Sequence, residues 1–83
     1  MNYFESSDII YVDGEGYDVE YGCRVDIIWR RGYAKSEVDY VMTILKVGEV
    51  PYTWLNEEMQ KKVNAAFRPD VVFEIKERYG LAA

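Results

Sequence analysis

From Tyr17 to Trp29 apolar residues fall at every second position: Tyr17, Val19, Tyr21, Cys23, Val25, Ile27 and Trp29. The alternate set is Asp18, Glu20, Gly22, Arg24, Asp26 and Ile28. A period of two sends the first set to one face of a β-strand and the second to the other. This is the pattern of an antiparallel strand with its apolar face on a core and its back to water. The stretch exceeds the common strand length of roughly 5–6 residues, and Gly22 near its middle is the expected place for a bend or bulge. Its first half is then free to pair with a preceding strand and its second half with a following one.

The rest of the chain reads around that strand. Asp8 to Val12 is a short β-branched and aromatic strand. Asp13-Gly14-Glu15-Gly16 is a turn, because Asp initiates turns and Gly tolerates positive φ. Arg30 to Ser36 forms a second turn with Gly32 as its flexible position, and strand three runs from Val38 to Val47. In strand three Val38, Tyr40, Met42 and Ile44 make one face and Val41, Thr43, Leu45 and Val47 the other. Neither face is polar, so the pattern predicts a central strand covered on both sides. Ile28 breaks the polar face of the long strand and is expected beside Val41 or Leu45. The patch so formed needs a cover: the C-terminal segment, a second copy or a partner.

Gly48 to Tyr52 is a connection in which Pro51 stops any strand. Either Thr53 or Asn56 caps a helix, and Glu57 and Glu58 suit its N-terminal dipole. Leu55, Met59, Val63, Ala66 and Phe67 form one apolar stripe, which should pack on the sheet face carrying Tyr17 to Trp29. Pro69 interrupts the pattern. In the tail, Val71, Phe73 and Ile75 alternate as a strand would, whereas Val72, Ile75 and Tyr79 keep helical spacing. The Glu74–Arg78 pair and Gly80 as a C-terminal cap tip the reading to a helix. The predicted fold is a single α+β domain over residues 1–83. It consists of a three- or four-stranded antiparallel meander with one or two C-terminal helices on one face.

Composition adds constraints. The 83 residues are 49% hydrophobic and 30% charged, which is globular rather than disordered. No apolar run is long enough to span a membrane, and the first residues, MNYFESSD, lack the features of a signal peptide. A single cysteine, Cys23, permits no internal disulfide, fits a cytoplasmic setting and lies on the inward face of the long strand. Net charge is −5 and uneven. Residues 1–20 hold Glu5, Asp8, Asp13, Glu15, Asp18 and Glu20 with no base, whereas Arg24, Arg30, Arg31 and Lys35 follow against Asp26. The acidic end opposes general nucleic-acid affinity, which needs cations for phosphates, and suits a basic protein partner. Acids that merely keep the protein soluble explain the same charge.

Most catalytic chemistry is missing. There is no histidine, which removes the commonest general base and metal ligand, the Ser/His and Cys/His nucleophile plans, and a structural zinc site. No phosphate-binding glycine loop occurs. Asp13, Glu15, Asp18 and Glu20 are the best metal candidates, but a calcium loop starting at Asp13 needs Gly at its sixth position and Glu at its twelfth. Here glycines fall second and fourth, and the twelfth residue is Arg24. Asp18, Glu20 and Asp26 belong to a solvated face, where nothing raises a carboxyl pKa for acid catalysis. No enzyme, metal or cofactor is expected. The basic turn Arg30, Arg31, Tyr33 and Lys35 is the one candidate for a direct nucleic-acid contact, and a solvated turn is its simpler account. Conversely, alternate strand residues lie ~6.6–6.8 Å apart, close to the phosphate spacing, so Asp18 and Glu20 with Asp13 and Glu15 can imitate a short phosphate run that Arg24 interrupts.

Eight tyrosines and two tryptophans are the remaining signal, since such rings are favoured in interfaces. Tyr17, Tyr21, Trp29 and Tyr40 are expected in the core or at its edge. Tyr3, Phe4, Tyr33 and Tyr52 fall in terminal or connecting segments and are expected at the surface. In size, acidity, aromatic richness and missing catalytic residues the chain resembles the small proteins that bacteriophages make against host machinery, anti-CRISPR and anti-restriction proteins among them. The resemblance is one of class and carries over no functional residue. It implies a non-enzymatic inhibitor in the host cytoplasm that engages a basic patch of a nucleic-acid-handling complex. The residues expected to bind are Asp13, Glu15, Asp18, Glu20, Tyr33 and Tyr52. The alternative is a homodimeric accessory protein that buries Ile28, Val41 and Leu45 between copies, with a carboxylate metal enzyme a distant third.

Overall fold

The computed structural model describes residues 2–28 and 37–81. Four strands, β1 (Asn2–Val12), β2 (Glu15–Ile28), β3 (Glu37–Val47) and β4 (Val50–Pro51), form an antiparallel sheet in the order β1-β2-β3-β4. A 3-10 turn (Tyr52–Trp54) leads to α1 (Glu57–Ala66) and then α2 (Val71–Arg78). The architecture is the α+β meander that the periodicities predict. Trp29 and the turn from Arg30 to Ser36, which includes Tyr33 and Lys35, lie outside the described residues. No helix among the described residues is long and apolar enough to cross a membrane.

The hairpin joining β1 and β2 turns on Asp13 and Gly14 alone, at φ 51° and 82°. Positive φ at both central residues matches the twist of the flanking strands, and Asp-Gly is a preferred pair for it. Glu15 and Gly16, expected in the turn, already belong to β2. β1 begins at Asn2, six residues before the predicted start at Asp8. This corrects the expectation for Phe4. Phe4 is in phase with Ile10 and Val12, so its ring enters the core and is only 8% exposed. The polar run Glu5-Ser6-Ser7-Asp8 between them conceals the period.

The core lies between one sheet face and the two helices. β1 supplies Phe4, Ile10 and Val12, and β2 supplies Val19, Tyr21, Cys23 and Val25. The helices bring Val63, Phe67, Val71 and Ile75. Tyr21 is the hub, edge-on to Phe67 at 5.3 Å and to Phe4 at 6.4 Å between ring centres, within the favoured range for aromatic pairs. α1 is capped by Asn56, whose side chain accepts from Met59 N at 2.8 Å. This settles the choice between Thr53 and Asn56. The tail is helical, as preferred. The Asp70 side chain caps it by accepting from Phe73 N at 3.1 Å, and the Arg78 Nε–Glu74 Oε1 pair closes at 2.6 Å. Gly80 takes φ 65°, so Leu81 N and Gly80 N reach back to the Lys76 and Glu77 carbonyls. That paired return closes the open carbonyls at a helix C-terminus.

Three expectations about the sheet change. First, β2 rather than β3 is the central strand. β1 pairs with β2 up to Val25 and β3 pairs with it from Val19, so the two partners overlap instead of dividing it. Among the described residues β3 meets on its other side only β4, through Lys46 and Val47, because Pro51 ends β4 after two residues. Second, the bulge sits opposite Glu20/Tyr21. Glu20 pairs with Lys46 and Tyr21 with Ile44, leaving Leu45 as the extra residue. Gly22 has another role: a Cβ there would collide with Tyr3 Oη, so the bare backbone makes room for a neighbouring ring. Third, α2 does not cover the second sheet face, because it packs on the same face as α1. Val71 and Ile75 enter the same core, and Tyr79 packs edge-on to Phe4.

Candidate protein-binding face

The uncovered face is defined by cross-strand register. Tyr3, Arg24 and Val41 form one row, followed by Glu5, Gly22 and Thr43, and then by Ser7, Glu20 and Lys46. Ile9 stands against Asp18 and Tyr11 against Gly16 at one end of the sheet. Asp26 stands against Asp39 and Ile28 against Glu37 at the other. The face therefore carries Glu5, Asp18, Glu20, Asp26, Glu37 and Asp39 against two cations, Arg24 and Lys46. Of the six carboxylates, Glu5, Asp18, Glu20, Asp26 and Asp39 make no salt bridge among the described residues. Asp26 directly opposite Asp39 is unfavourable, since facing like charges destabilise a sheet.

Large apolar side chains stand between these charges. Tyr3, Ile9, Tyr11 and Val41 are 55%, 58%, 73% and 57% exposed. The two rings are held in place. Tyr3 lies over Gly22, and Tyr11 packs on Gly16, where a Cβ would come within 3.3 Å of its ring. An aromatic ring laid over a cross-strand glycine protects backbone that otherwise lacks a side chain. The result is a surface on which partly exposed rings, each beside a glycine, stand among carboxylates.

The acidic group predicted at the β1–β2 end is divided. Asp18 and Glu20 lie on the open face. Glu15 belongs to the helix side, where its carboxylate accepts from the Tyr17 hydroxyl at 2.6 Å, and this bond raises the Tyr17 pKa. Asp13 bonds Lys62 of α1 at 2.7 Å and raises its pKa. Sequence alternation alone separates Asp18 and Glu20 from Glu15, but the Asp13–Lys62 contact spans 49 positions and has no local signal. The four carboxylates therefore do not converge, either as an oxygen cage or as a row imitating phosphates. Tyr52 is half-buried and donates its hydroxyl to Asn64 Oδ1 at 3.1 Å, so it fastens the 3-10 turn to α1.

The predicted self-interface is also dispersed. Ile28 faces Glu37 and Val41 faces Arg24, while Leu45 is the bulge residue. Ile28 and Val41 share the open face without adjoining. Tyr11 and Ile9 join this face although their residue types mark them only as strand formers. Their odd numbering, out of phase with Ile10 and Val12, was the available signal. Cys23 is fully buried, and burial pushes its thiol pKa up, which suits a core residue rather than a nucleophile. Compared with protein-family models, with curated proteins and with solved structures, the chain matches none.

Proposed function

We propose that this chain is a non-enzymatic binding protein that lays its open sheet face on a basic surface of another protein. The observation that carries the reading is the uncovered face itself, with six carboxylates and two cations interleaved with exposed tyrosine and aliphatic side chains. Fixed aromatic rings bury large area at small entropic cost, and surrounding charge selects a partner of opposite sign and speeds encounter. The facing Asp26 and Asp39 gain most from an approaching cation, which would relieve their mutual repulsion. A nucleic-acid-handling complex of a phage host is the kind of partner that offers such a basic patch. The working set thus becomes Glu5, Asp18, Glu20, Asp26 and Asp39 with Tyr3, Ile9, Tyr11 and Val41.

Methyl NMR during titration with a lysine- and arginine-rich peptide tests the reading. The Ile9, Ile28 and Val41 methyl signals should move together and return as salt is raised. Val72 and Leu81, on the helix side, should stay in place. Movement confined to the helix side, or none at all, would overturn the proposal.

A further inference from the structure

The helix layer covers β1 and β2 and stops short of β3. Val47 is the sole buried β3 side chain; Val38, Met42 and Ile44 point to the helix side but are only half-buried, and Tyr40 on the same side is 43% exposed. A groove runs between β3 and α1, lined by Met42, Ile44, Tyr52, Asn64, Phe67 and Arg68. The backbone beside it has no neighbouring strand: among the described residues none bonds Val38 to Leu45 on the side away from β2. Natural sheets blunt such edges with proline, lysine or short length. Between Val38 and Leu45 this edge carries no proline or lysine; its one charge is Asp39, its bulge residue Leu45 lies at the far end, and Val41-Met42-Thr43-Ile44 between them is uncharged. The opposite edge, β1, differs, because Glu5-Ser6-Ser7-Asp8 places two acids in its middle.

We propose that the β3 edge pairs with the β3 edge of a second copy of this chain, antiparallel about a two-fold axis normal to the sheet and passing beside Val41. Directly opposed residues share a sheet face, so a two-fold of this kind pairs only residues of the same parity. With Val41 opposite itself, Tyr40 meets the second copy's Met42, and Val38 meets its Ile44. Each copy's half-buried Val38 and exposed Tyr40 thereby enter the groove of the other. Charge favours the same occupant. Asp39, in one half of the strand, is set against the end from Thr43 to Lys46, which holds the strand's single cation. Registers that oppose Asp39 to itself forfeit this complementarity. The product is one continuous sheet whose two open faces lie on the same side. The inference is independent of the proposed partner, since it concerns the edge and not the face.

Sedimentation equilibrium of the full chain tests it. The expected species has twice the 9.7 kDa chain mass. Tyr40→Lys, at an exposed position that leaves folding intact, should raise the dimer dissociation constant by at least about tenfold. Ile9→Glu, on the open face, should leave the dimer unchanged. Val41→Cys should cross-link to its own copy in oxidised glutathione, with the buried Cys23 a spectator. A monomer at every concentration overturns the proposal. So does a dimer that survives Tyr40→Lys and is lost in Ile9→Glu, because that result assigns association to the open face.

Discussion

At the scale of single residues, burial decides how the titrating groups behave. Cys23 is fully buried and Tyr21 nearly so, and desolvation raises both pKa values. Tyr17 is raised by its bond to Glu15. Each of these groups holds its proton more tightly in the folded chain than in the unfolded one. The stabilisation is therefore complete below the unfolded pKa and is lost as pH rises toward the folded value. The window opens at about pH 8.5 for the thiol and about pH 10 for the phenols. Urea midpoints should be level near neutrality and fall above that point. Cys23→Ala should remain level until the tyrosine range, and a wild-type curve parallel to the mutant's would contradict the assignment. Other residue roles were hidden from sequence: Gly22 invites a bulge by its type, and only the three-dimensional position of Tyr3 shows that the ring occupies its space.

At the scale of elements, the legible ones carry their own boundary chemistry. α1 has a capping Asn56 and a full apolar stripe, and α2 has Asp70, the Glu74–Arg78 pair and Gly80 within one short segment. The strand alternation in the tail was local coincidence. Val71 and Ile75, four apart, both reach the core, while Phe73 between them is 61% exposed. A helix this short is not stable alone, so packing must hold it. Ile75→Ala should cost about 2–5 kcal/mol by denaturant unfolding, the range for truncating a buried aliphatic side chain. Phe73→Ala, at a solvated position, should change stability little, and equal losses from the two would show that α2 is not seated as described. β3 is less legible. Its two apolar faces signalled burial on both sides, but a strand at a sheet edge beside an uncovered face has the same composition.

At the scale of the whole molecule, the layer arrangement decides which sheet face is left open. Order along the chain predicted a meander with helices on one side, and the alternation in β2 told which side. What sequence does not encode locally is where α2 lies, because its stripe fits either sheet face. Its packing on the same face as α1 leaves the second face open and moves the acidic surface from the β1–β2 turn to the middle of the sheet. The central claim is that this face, rather than overall acidity, selects a basic partner. Calorimetric titration of the lysine- and arginine-rich peptide into two triple variants of equal net charge tests it most directly. One neutralises the open face, Asp18→Asn, Glu20→Gln and Asp26→Asn, and the other neutralises the helix side and β3–β4 turn, Glu49→Gln, Glu57→Gln and Glu77→Gln. The first should weaken binding by about tenfold or more, and the second should leave it within about twofold of wild type. Equal weakening of both would contradict the claim, because the peptide would then be sensing total charge and not the face.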